Sequence, residues 1–150
     1  MRAKGVPYVP LNKEQLKFLN KEIKLLPSDK VIDLGCGDGR VLRLFEKQGV
    51  NNLKGLEVNY WAVLLARLFN LPKKSKSQIE HKNFFKEDLS KYNIIFCYLL
   101  DTQLKRLTPK LERELKPGTK VISYAFAFPD WQPTRTIRNE DEQTIRIYEK

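Results

Sequence analysis

The chain has 150 residues, of which 41% are hydrophobic and 31% are charged. This balance excludes a disordered or fibrous protein, and the length fits one domain over residues 1–150, with an N-terminal segment and helix (1–27) before a core (28–150). No apolar run is long enough to cross a bilayer, and no apolar stretch follows the first basic residues as in a secretory signal. We therefore expect a folded cytoplasmic protein.

The charge balance is strongly basic, because 28 Lys and Arg residues oppose 18 Asp and Glu residues, which gives a formal net charge of +10. Such a charge attracts nucleic acid, anionic membranes or acidic proteins, but it also serves solubility. The basic residues are spread along the whole chain, which favours a solvated surface over a specific polyanion site.

The two cysteines, Cys36 and Cys97, lie in unlike settings, one in a glycine-rich turn and the other in an apolar run. Two such residues make neither a disulfide framework nor a metal cluster. We expect two thiols and no metal site.

Apolar residues recur at helical spacing from Leu11 to Leu26, which predicts an amphipathic helix ended by Pro27. Short apolar runs then predict five strands, at Lys30–Leu34, Leu53–Val58, Gln78–Lys82, Tyr92–Leu99 and Lys120–Phe128. Helices are expected between them, through Val41–Gly49, through Trp61–Phe69 after an Asn59 cap, and from Asp101 or Thr102 to the turn at Lys116–Gly118.

The last part of the chain alternates apolar and polar residues at Thr134–Arg138 and Gln143–Tyr148. This alternation is typical of an antiparallel pair of strands. The sequence therefore predicts an α/β fold with a mostly parallel seven-stranded sheet and a closing antiparallel hairpin.

A glycine-rich turn follows the first predicted strand, with Asp33, Gly35, Gly37 and Gly39 at alternate positions. Glycines let the backbone approach a ligand closely, and the N–H groups of the next helix face its anionic parts. A nicotinamide-binding turn would have its third glycine at position 40, where this chain has Arg40. The spacing therefore weakens the dinucleotide interpretation.

Two further positions at strand ends suit a nucleoside. Glu57 ends the second strand, where a carboxylate accepts two hydrogen bonds from a ribose diol; the alternative is a surface acid. Asn83 follows the third strand, where its amide suits the edge of an adenine. One of Phe84 and Phe85 then lies against the ring while the other packs in the core, and Phe84 is the favoured adenine neighbour.

These residues resemble the class I S-adenosylmethionine-dependent methyltransferases, whose motifs are an acidic residue before G-x-G-x-G, the acid at Glu57 and a third motif near Asn83. Several segments are similar to the small archaeal protein-lysine methyltransferases and to the mitochondrial enzymes that modify the ATP synthase c subunit and the adenine nucleotide translocase: Val6–Pro10, Asp33–Arg40, Asn83–Phe85, Leu111–Thr119 and Trp131–Pro133. The resemblance covers nearly the whole chain.

The resemblance implies a Rossmann-like methyltransferase sandwich that binds S-adenosylmethionine through Tyr8, the glycine turn, Glu57, Asn83 and Phe84. Two positions depart from the family pattern: Leu11 stands where a threonine is usual, and Tyr98 stands where phenylalanine is common. These departures bear on substrate choice more than on cofactor binding.

Transfer of a methyl group to a lysine amine is an in-line displacement, so the enzyme mainly aligns the amine and excludes water. Tyr8, Tyr98 and Trp131 are candidate walls of the substrate channel, since aromatic faces guide a cationic side chain. Core packing is the alternative for Tyr98 and Trp131, and a helix cap is the alternative for the nearby Asp101. The single histidine, His81, lies in a predicted strand and receives no role.

Three hypotheses remain open. The favoured one is a monomeric enzyme that methylates protein lysines. A nucleic-acid or small-molecule methyltransferase is the first alternative; the segment Tyr98-Leu99-Leu100-Asp101 lacks the Asp/Asn-Pro-Pro-aromatic signature of base-amine methylation, which leaves ribose and ring-carbon targets. A non-catalytic S-adenosylmethionine-binding module is the second, and the intact acid, glycines and Glu57 count against it.

Overall fold

A computed structural model describes residues 9–150 of the chain. Its centre is a seven-stranded sheet in the order β3-β2-β1-β4-β5-β7-β6. The strands are β1 (Lys30–Leu34), β2 (Asn52–Glu57), β3 (Gln78–His81), β4 (Ile94–Cys97), β5 (Lys120–Tyr124), β6 (Arg135–Arg138) and β7 (Thr144–Glu149). The α-helices are α1 (Lys13–Glu22), α2 (Arg40–Lys47), α3 (Tyr60–Asn70) and α4 (Asp101–Glu114).

Strands β1 to β5 are parallel, and β7 is antiparallel to both β5 and β6. The α/β fold with a mostly parallel sheet and a closing hairpin is therefore confirmed. β1 lies between β2 and β4, and Asp33 is level with Gly55 on one side and Phe96 on the other. The carboxyl ends of β1, β2 and β4 thus meet at one edge, where parallel sheets bind ligands.

Each face of the sheet has its own apolar core. The α1 face includes Val31 of β1 and carries helices α1, α2 and α3, whereas the α4 face includes Ile32 and Leu34 and carries α4. This division follows from the period of two along a strand, which sends successive side chains to opposite faces. Most strand positions in β1, β4 and β5 are buried, as expected where helices cover both faces.

The first helix is shorter than the sequence pattern predicts. Asn12 caps α1 by accepting a hydrogen bond from the Gln15 N–H, but the helix ends at Glu22 and Ile23 is extended. The side chain of Gln48 accepts from the Leu25 N–H at 3.0 Å and donates to the Ile23 carbonyl at 2.9 Å. The prediction of a helix to Leu26 was wrong because these long-range bonds satisfy the backbone in an extended form.

Two strands are also shorter than expected. β4 begins at Ile94, because Tyr92 belongs to the turn after a short 3₁₀ segment at Leu89–Lys91. β5 ends at Tyr124, and Ala125 takes a φ of +70°, which turns the chain out of the sheet. The segment beyond Tyr124 is therefore a loop at the carboxyl edge of the sheet.

No helix within residues 9–150 combines the length and the apolar character needed to span a bilayer. Cys36 and Cys97 are both buried and unbridged, as the sequence predicted.

Candidate cofactor and substrate site

The glycine-rich turn connects β1 to α2 at the carboxyl edge of the sheet. Gly35, Gly37 and Gly39 have φ values of +79°, +54° and +81°, a left-handed conformation that favours glycine over other residues. The Gly35 and Cys36 N–H groups both donate to the Leu56 carbonyl, at 2.8 and 3.0 Å. The turn is therefore fixed to the end of β2, the strand that carries Glu57.

Arg40 attaches the backbone at Leu11 to the same turn. Its guanidinium pairs with the Asp38 carboxylate and donates from Nη1 to the Leu11 carbonyl at 2.8 Å. Arg43 donates from Nη1 to the Asp38 carbonyl at 2.7 Å. Arg40, which stands where a dinucleotide turn needs glycine, thus holds the backbone at Leu11 beside the turn. Tyr8 itself lies outside the described residues, so its predicted role stays a prediction.

Glu57 closes the turn from the side of β2. Its Oε1 accepts from the Gly37 N–H at 3.1 Å, and its Oε2 accepts from the N–H groups of Val58 and Asn59 at 2.8 and 3.2 Å. A carboxylate has about four acceptor positions, so three are filled by backbone. The side chain is thereby oriented at the mouth of the turn, where the sequence predicted a ribose-binding acid.

Asp33 lies beneath the turn and is 3% exposed. Burial raises the pKa of its carboxyl well above the ordinary value, and the nearby charges of Glu57 and Asp38 raise it further. Three carboxyl groups therefore gather at this edge of a chain whose net charge is +10. Asp38 is paired with the guanidinium groups of Arg40 and Arg43, so the carboxylate of Glu57 is the negative charge at the mouth of the turn that favours a ligand carrying positive charge.

Gly55 is a site residue that sequence reasoning missed. A Cβ at this position would lie 2.6 Å from Cys36 Sγ and 2.6 Å from Leu42 Cδ1. The Cys36 side chain therefore packs directly over the β2 backbone, and this contact brings the turn close to the sheet. An isolated glycine inside a predicted strand was the available signal, since it marks close backbone approach.

Asn83 and Phe84 lie just beyond β3. Asn83 caps a short 3₁₀ segment at Phe84–Lys86 by accepting from the Phe85 N–H at 3.0 Å, and its side chain is exposed. Phe84 is buried in the core of the α4 face, with its ring centroid 4.7 Å from that of Phe85. Phe85 is half-buried below the Arg106 guanidinium. The roles of Asn83 and Phe84 at an adenine remain predictions.

The two aromatic candidates for the substrate channel lie on different faces of the sheet. Tyr98 follows β4 and packs against the α1-face core, with Tyr124 and Phe126 beside it at centroid distances of 5.6 and 6.4 Å. Trp131 packs against the α4-face core and stacks on Tyr148 at 5.4 Å. Both are half-buried and pack on a core, and their role at a substrate channel stays a prediction.

The side chains of Asp101 and His81 both contact nearby backbone groups. Asp101 is the first residue of α4 rather than its cap, and its Oδ1 accepts from the Thr102 N–H at 2.9 Å. The Nε2 of His81 lies 2.9 Å from the Val58 carbonyl, and its ring packs edge-on against Tyr60.

The strand order, the glycine turn and the acid at the end of β2 define a Rossmann-like methyltransferase. The structure superposes on an RNA methyltransferase from Salinibacter ruber in complex with S-adenosyl-L-homocysteine, with a TM-score of 0.85, 27% identity, and coverage of 94% of this chain and 93% of the other. A ribosomal protein L11 methylase from Lactobacillus delbrueckii subsp. bulgaricus has the same fold, with a TM-score of 0.74 at 17% identity over 91% of this chain and 78% of that one.

Residues 33–135 match the model of the ANTKMT methyltransferase domain, and the chain belongs to this family of methyltransferases. It is 36% identical to a protein-lysine N-methyltransferase of Saccharolobus islandicus (strain REY15A), over 95% of this chain and 92% of the relative. It is 31% identical to the adenine nucleotide translocase lysine N-methyltransferase of Mus musculus, over 95% of this chain and 62% of that protein. The resemblance noted from the sequence is confirmed.

The buried carboxyl of Asp33 predicts a stability that depends on pH. An acid whose pKa is raised by folding binds its proton more tightly in the folded state, so its contribution to stability declines as pH rises above the ordinary value of 3.8. Asp33→Asn should raise the free energy of unfolding at pH 7, because the amide stays uncharged in the buried site. Urea titrations measure this difference between variant and wild type, and the difference should become smaller as the pH falls towards 4.

The matched control for this prediction is Asp130→Asn, because Asp130 is exposed. It should leave the free energy of unfolding within about 0.5 kcal/mol of wild type at every pH. A lower stability of Asp33→Asn at pH 7 would show that the folded state favours the charged carboxylate.

The close packing of Cys36 on Gly55 predicts that Gly55→Ala weakens binding of S-adenosylmethionine at least about tenfold, because the new Cβ displaces the turn. Asn52→Ala is the control, because Asn52 is an exposed residue at the opposite end of the same strand, β2. Calorimetric titration measures both affinities. Equal affinities in the two variants would contradict the role of Gly55.

Proposed function

We propose that this chain transfers methyl groups from S-adenosylmethionine to the side-chain amines of protein lysines. The observation that carries the proposal is the 36% identity to a protein-lysine N-methyltransferase across almost the whole of both chains. Asp33, the three glycines and Glu57 are all present and assembled at one edge of the sheet, which supports a working enzyme over a non-catalytic binding module.

The residues of the site fit this cofactor. The left-handed glycines leave room for close approach of a ligand, and the carboxylate of Glu57 is already oriented by backbone N–H groups. A ribose diol donates two hydrogen bonds, so at least one backbone contact of Glu57 exchanges when the diol binds. The carboxylate of Glu57 places negative charge at the mouth of the turn, which favours a cofactor that carries positive charge.

The cofactor supplies an electrophilic methyl group. The lysine amine first loses a proton to solvent, which proximity to positive charge and burial promote by lowering its pKa. Bound S-adenosylmethionine would give its methyl group to that amine by in-line displacement and would leave as S-adenosylhomocysteine. We assign to the chain the alignment of the amine and the exclusion of water rather than a covalent step.

We place Tyr98 and Trp131 at the walls of the amine channel. What supports this for Tyr98 is its position directly after β4, at the same edge as the glycine turn, and for Trp131 its half-buried position in the loop after β5. Phe126 lies beside Tyr98, with the rings nearly parallel at an interplanar angle of 27°. Aromatic faces attract a cationic side chain and exclude water, and both effects serve the transfer.

RNA is the second candidate substrate. It is favoured by the net charge of +10 and by the RNA methyltransferase from Salinibacter ruber, which is 27% identical to this chain. Protein lysine remains preferred because the identity to the archaeal protein-lysine enzyme is higher and because the chain lacks the proline-rich signature of base-amine methylation after β4.

We also propose a cytoplasmic enzyme that acts as a monomer. The proposal of a reducing compartment is supported by Cys36 and Cys97, which are both unbridged thiols. Sedimentation velocity of the purified chain measures the oligomeric state directly.

The substrate proposal predicts where a labelled methyl group will be found. The purified chain is incubated with methyl-labelled S-adenosylmethionine and either lysate protein or total RNA, and the products are identified by mass spectrometry. Label should appear on lysine Nζ, and chemical acetylation of the lysate lysines beforehand should remove it. Gly37→Val should abolish labelling, because a β-branched residue is strongly disfavoured at a φ of +54°.

Label in RNA that acetylation of the protein pool does not change would overturn the lysine assignment in favour of the second candidate. Failure of wild type to label either pool, while it binds the cofactor, would leave only the binding-module hypothesis.

A further inference from the structure

Helix α3 has an unusual distribution of side chains. Its buried residues are Ala62, Val63 and Ala66, whereas larger apolar residues point to solvent. The α3 surface consists of exposed apolar residues from this helix and its end: Trp61 (73% exposed), Leu64 (36%), Leu65 (42%), Leu68 (57%) and Leu71 (72%). Tyr60 and Phe69 extend it on either side, at 53% and 43% exposure.

Packing in the core of this domain does not explain why α3 exposes its large apolar side chains. A surface helix normally buries its apolar stripe and exposes polar residues, and a helix that is apolar all round is buried on all sides. In α3 the small side chains face the sheet and the large ones face water. Contiguous exposed apolar surface of this kind marks an interaction site.

The charges around the α3 surface have one sign. Residues 58–77 contain four cations, namely Arg67, Lys73, Lys74 and Lys76, and no carboxylate. The three lysines are exposed in the loop that follows α3, which we call the lysine loop (residues 73–76). Apolar and basic surface are therefore adjacent.

The acidic groups of the elements packed against α3 are engaged elsewhere. Glu46 of α2 accepts from the Ser75 hydroxyl and the Lys76 N–H, both at 2.6 Å, and so fixes the lysine loop. Glu80 of β3 pairs with Lys54 at 3.0 Å. Glu57 faces the glycine turn. The loop is thus held in place by Glu46 while the lysine side chains point outward.

We propose that the α3 surface and the lysine loop dock the enzyme on an anionic membrane surface. A helix with Trp, Phe and Leu on one side and basic residues beside it lies in the plane of a membrane interface, with its apolar side chains in the headgroup region. Lysines near an anionic leaflet add electrostatic attraction of about fivefold each in partitioning. The lipid phosphates supply the negative charge that residues 58–77 lack.

A second copy of the chain fits this surface less well. A two-fold contact through α3 would bury the same surface of both copies and would bring the basic residues of two segments 58–77 into one interface. Both copies also carry a net charge of +10, which opposes association. Charge complementarity therefore favours lipid over self-association.

Docking through α3 also brings the cofactor site close to the membrane surface. α3 begins at Tyr60, and Glu57 ends the strand just before it, so the mouth of the cofactor site lies beside the docking surface. This consequence rests on the proposed function: acceptor lysines would then be those of proteins at the membrane surface. The docking itself requires no activity.

Vesicle sedimentation tests the proposal. The wild-type chain should bind vesicles of phosphatidylglycerol at low salt and bind phosphatidylcholine vesicles at least about tenfold more weakly. The triple variant Trp61→Gln, Leu65→Gln, Leu68→Gln keeps good helix formers at exposed positions, so it should stay folded and lose at least about tenfold in partitioning. Circular dichroism confirms the fold of each variant.

Two charge variants separate specific docking from general attraction. Lys73→Gln, Lys74→Gln, Lys76→Gln should weaken binding by more than about tenfold. The matched control, Lys91→Gln, Lys105→Gln, Lys116→Gln, removes the same charge from exposed positions beside the α4-face core and should bind like wild type.

Equal losses in the two charge variants would overturn the proposal, because net charge alone would then explain binding. So would unchanged binding by the apolar variant, or sedimentation of the wild type as a dimer that the apolar variant dissociates. None of these readouts depends on methyl transfer, so failure of docking and failure of the proposed function are distinguishable.

Discussion

The contact between the ends of β1 and β2 is the constraint on which the site depends. Two N–H groups of the glycine turn donate to the Leu56 carbonyl, and Glu57 accepts from the Gly37 N–H. Because β1 and β2 are parallel neighbours, their carboxyl ends lie side by side and these short bonds can form. Gly55 then allows the turn to approach β2 closely. Side-chain placement at the site follows from this junction.

Acidic and basic residues are separated at the carboxyl edge of the sheet. The site gathers the carboxyl groups of Asp33, Asp38 and Glu57, whereas residues 58–77 just beyond it carry only positive charge. Burial of the Asp33 carboxyl costs stability, and the charges of Glu57 and Asp38 add to that cost, as the raised pKa of Asp33 indicates. The basic segment carries the charge that an anionic surface attracts. The net charge of +10 for the whole chain does not show this separation of acidic and basic residues.

The features that the sequence predicts well are those with local causes. The glycine turn, the acid at the end of β2 and the alternation of strands and helices all follow from spacing along the chain, and each was found in the structure. The end of α1 was mispredicted because it depends on Gln48, a residue distant in sequence. Gly55 was missed because its role appears only when Cys36 packs on it.

The exposure of α3 could not be predicted for a related reason. An apolar helix beside predicted strands is expected to be buried, and periodicity cannot say whether a second layer covers it. Only the arrangement of elements shows that α3 has the sheet on one side and solvent on the other. Substrate choice at Tyr98 and Trp131 depends likewise on the spatial arrangement of loops.

Calorimetric titration with S-adenosylmethionine is the most direct test of the site, with wild type, Glu57→Ala and Glu80→Ala compared at the same pH. Glu80→Ala removes an equal charge from the neighbouring strand β3 and should bind like wild type. Glu57→Ala should bind about tenfold to a hundredfold more weakly, since it loses charge-assisted hydrogen bonds worth roughly 1.5–3 kcal/mol. Absence of binding heat in wild type, or equal affinity in Glu57→Ala, would contradict the account.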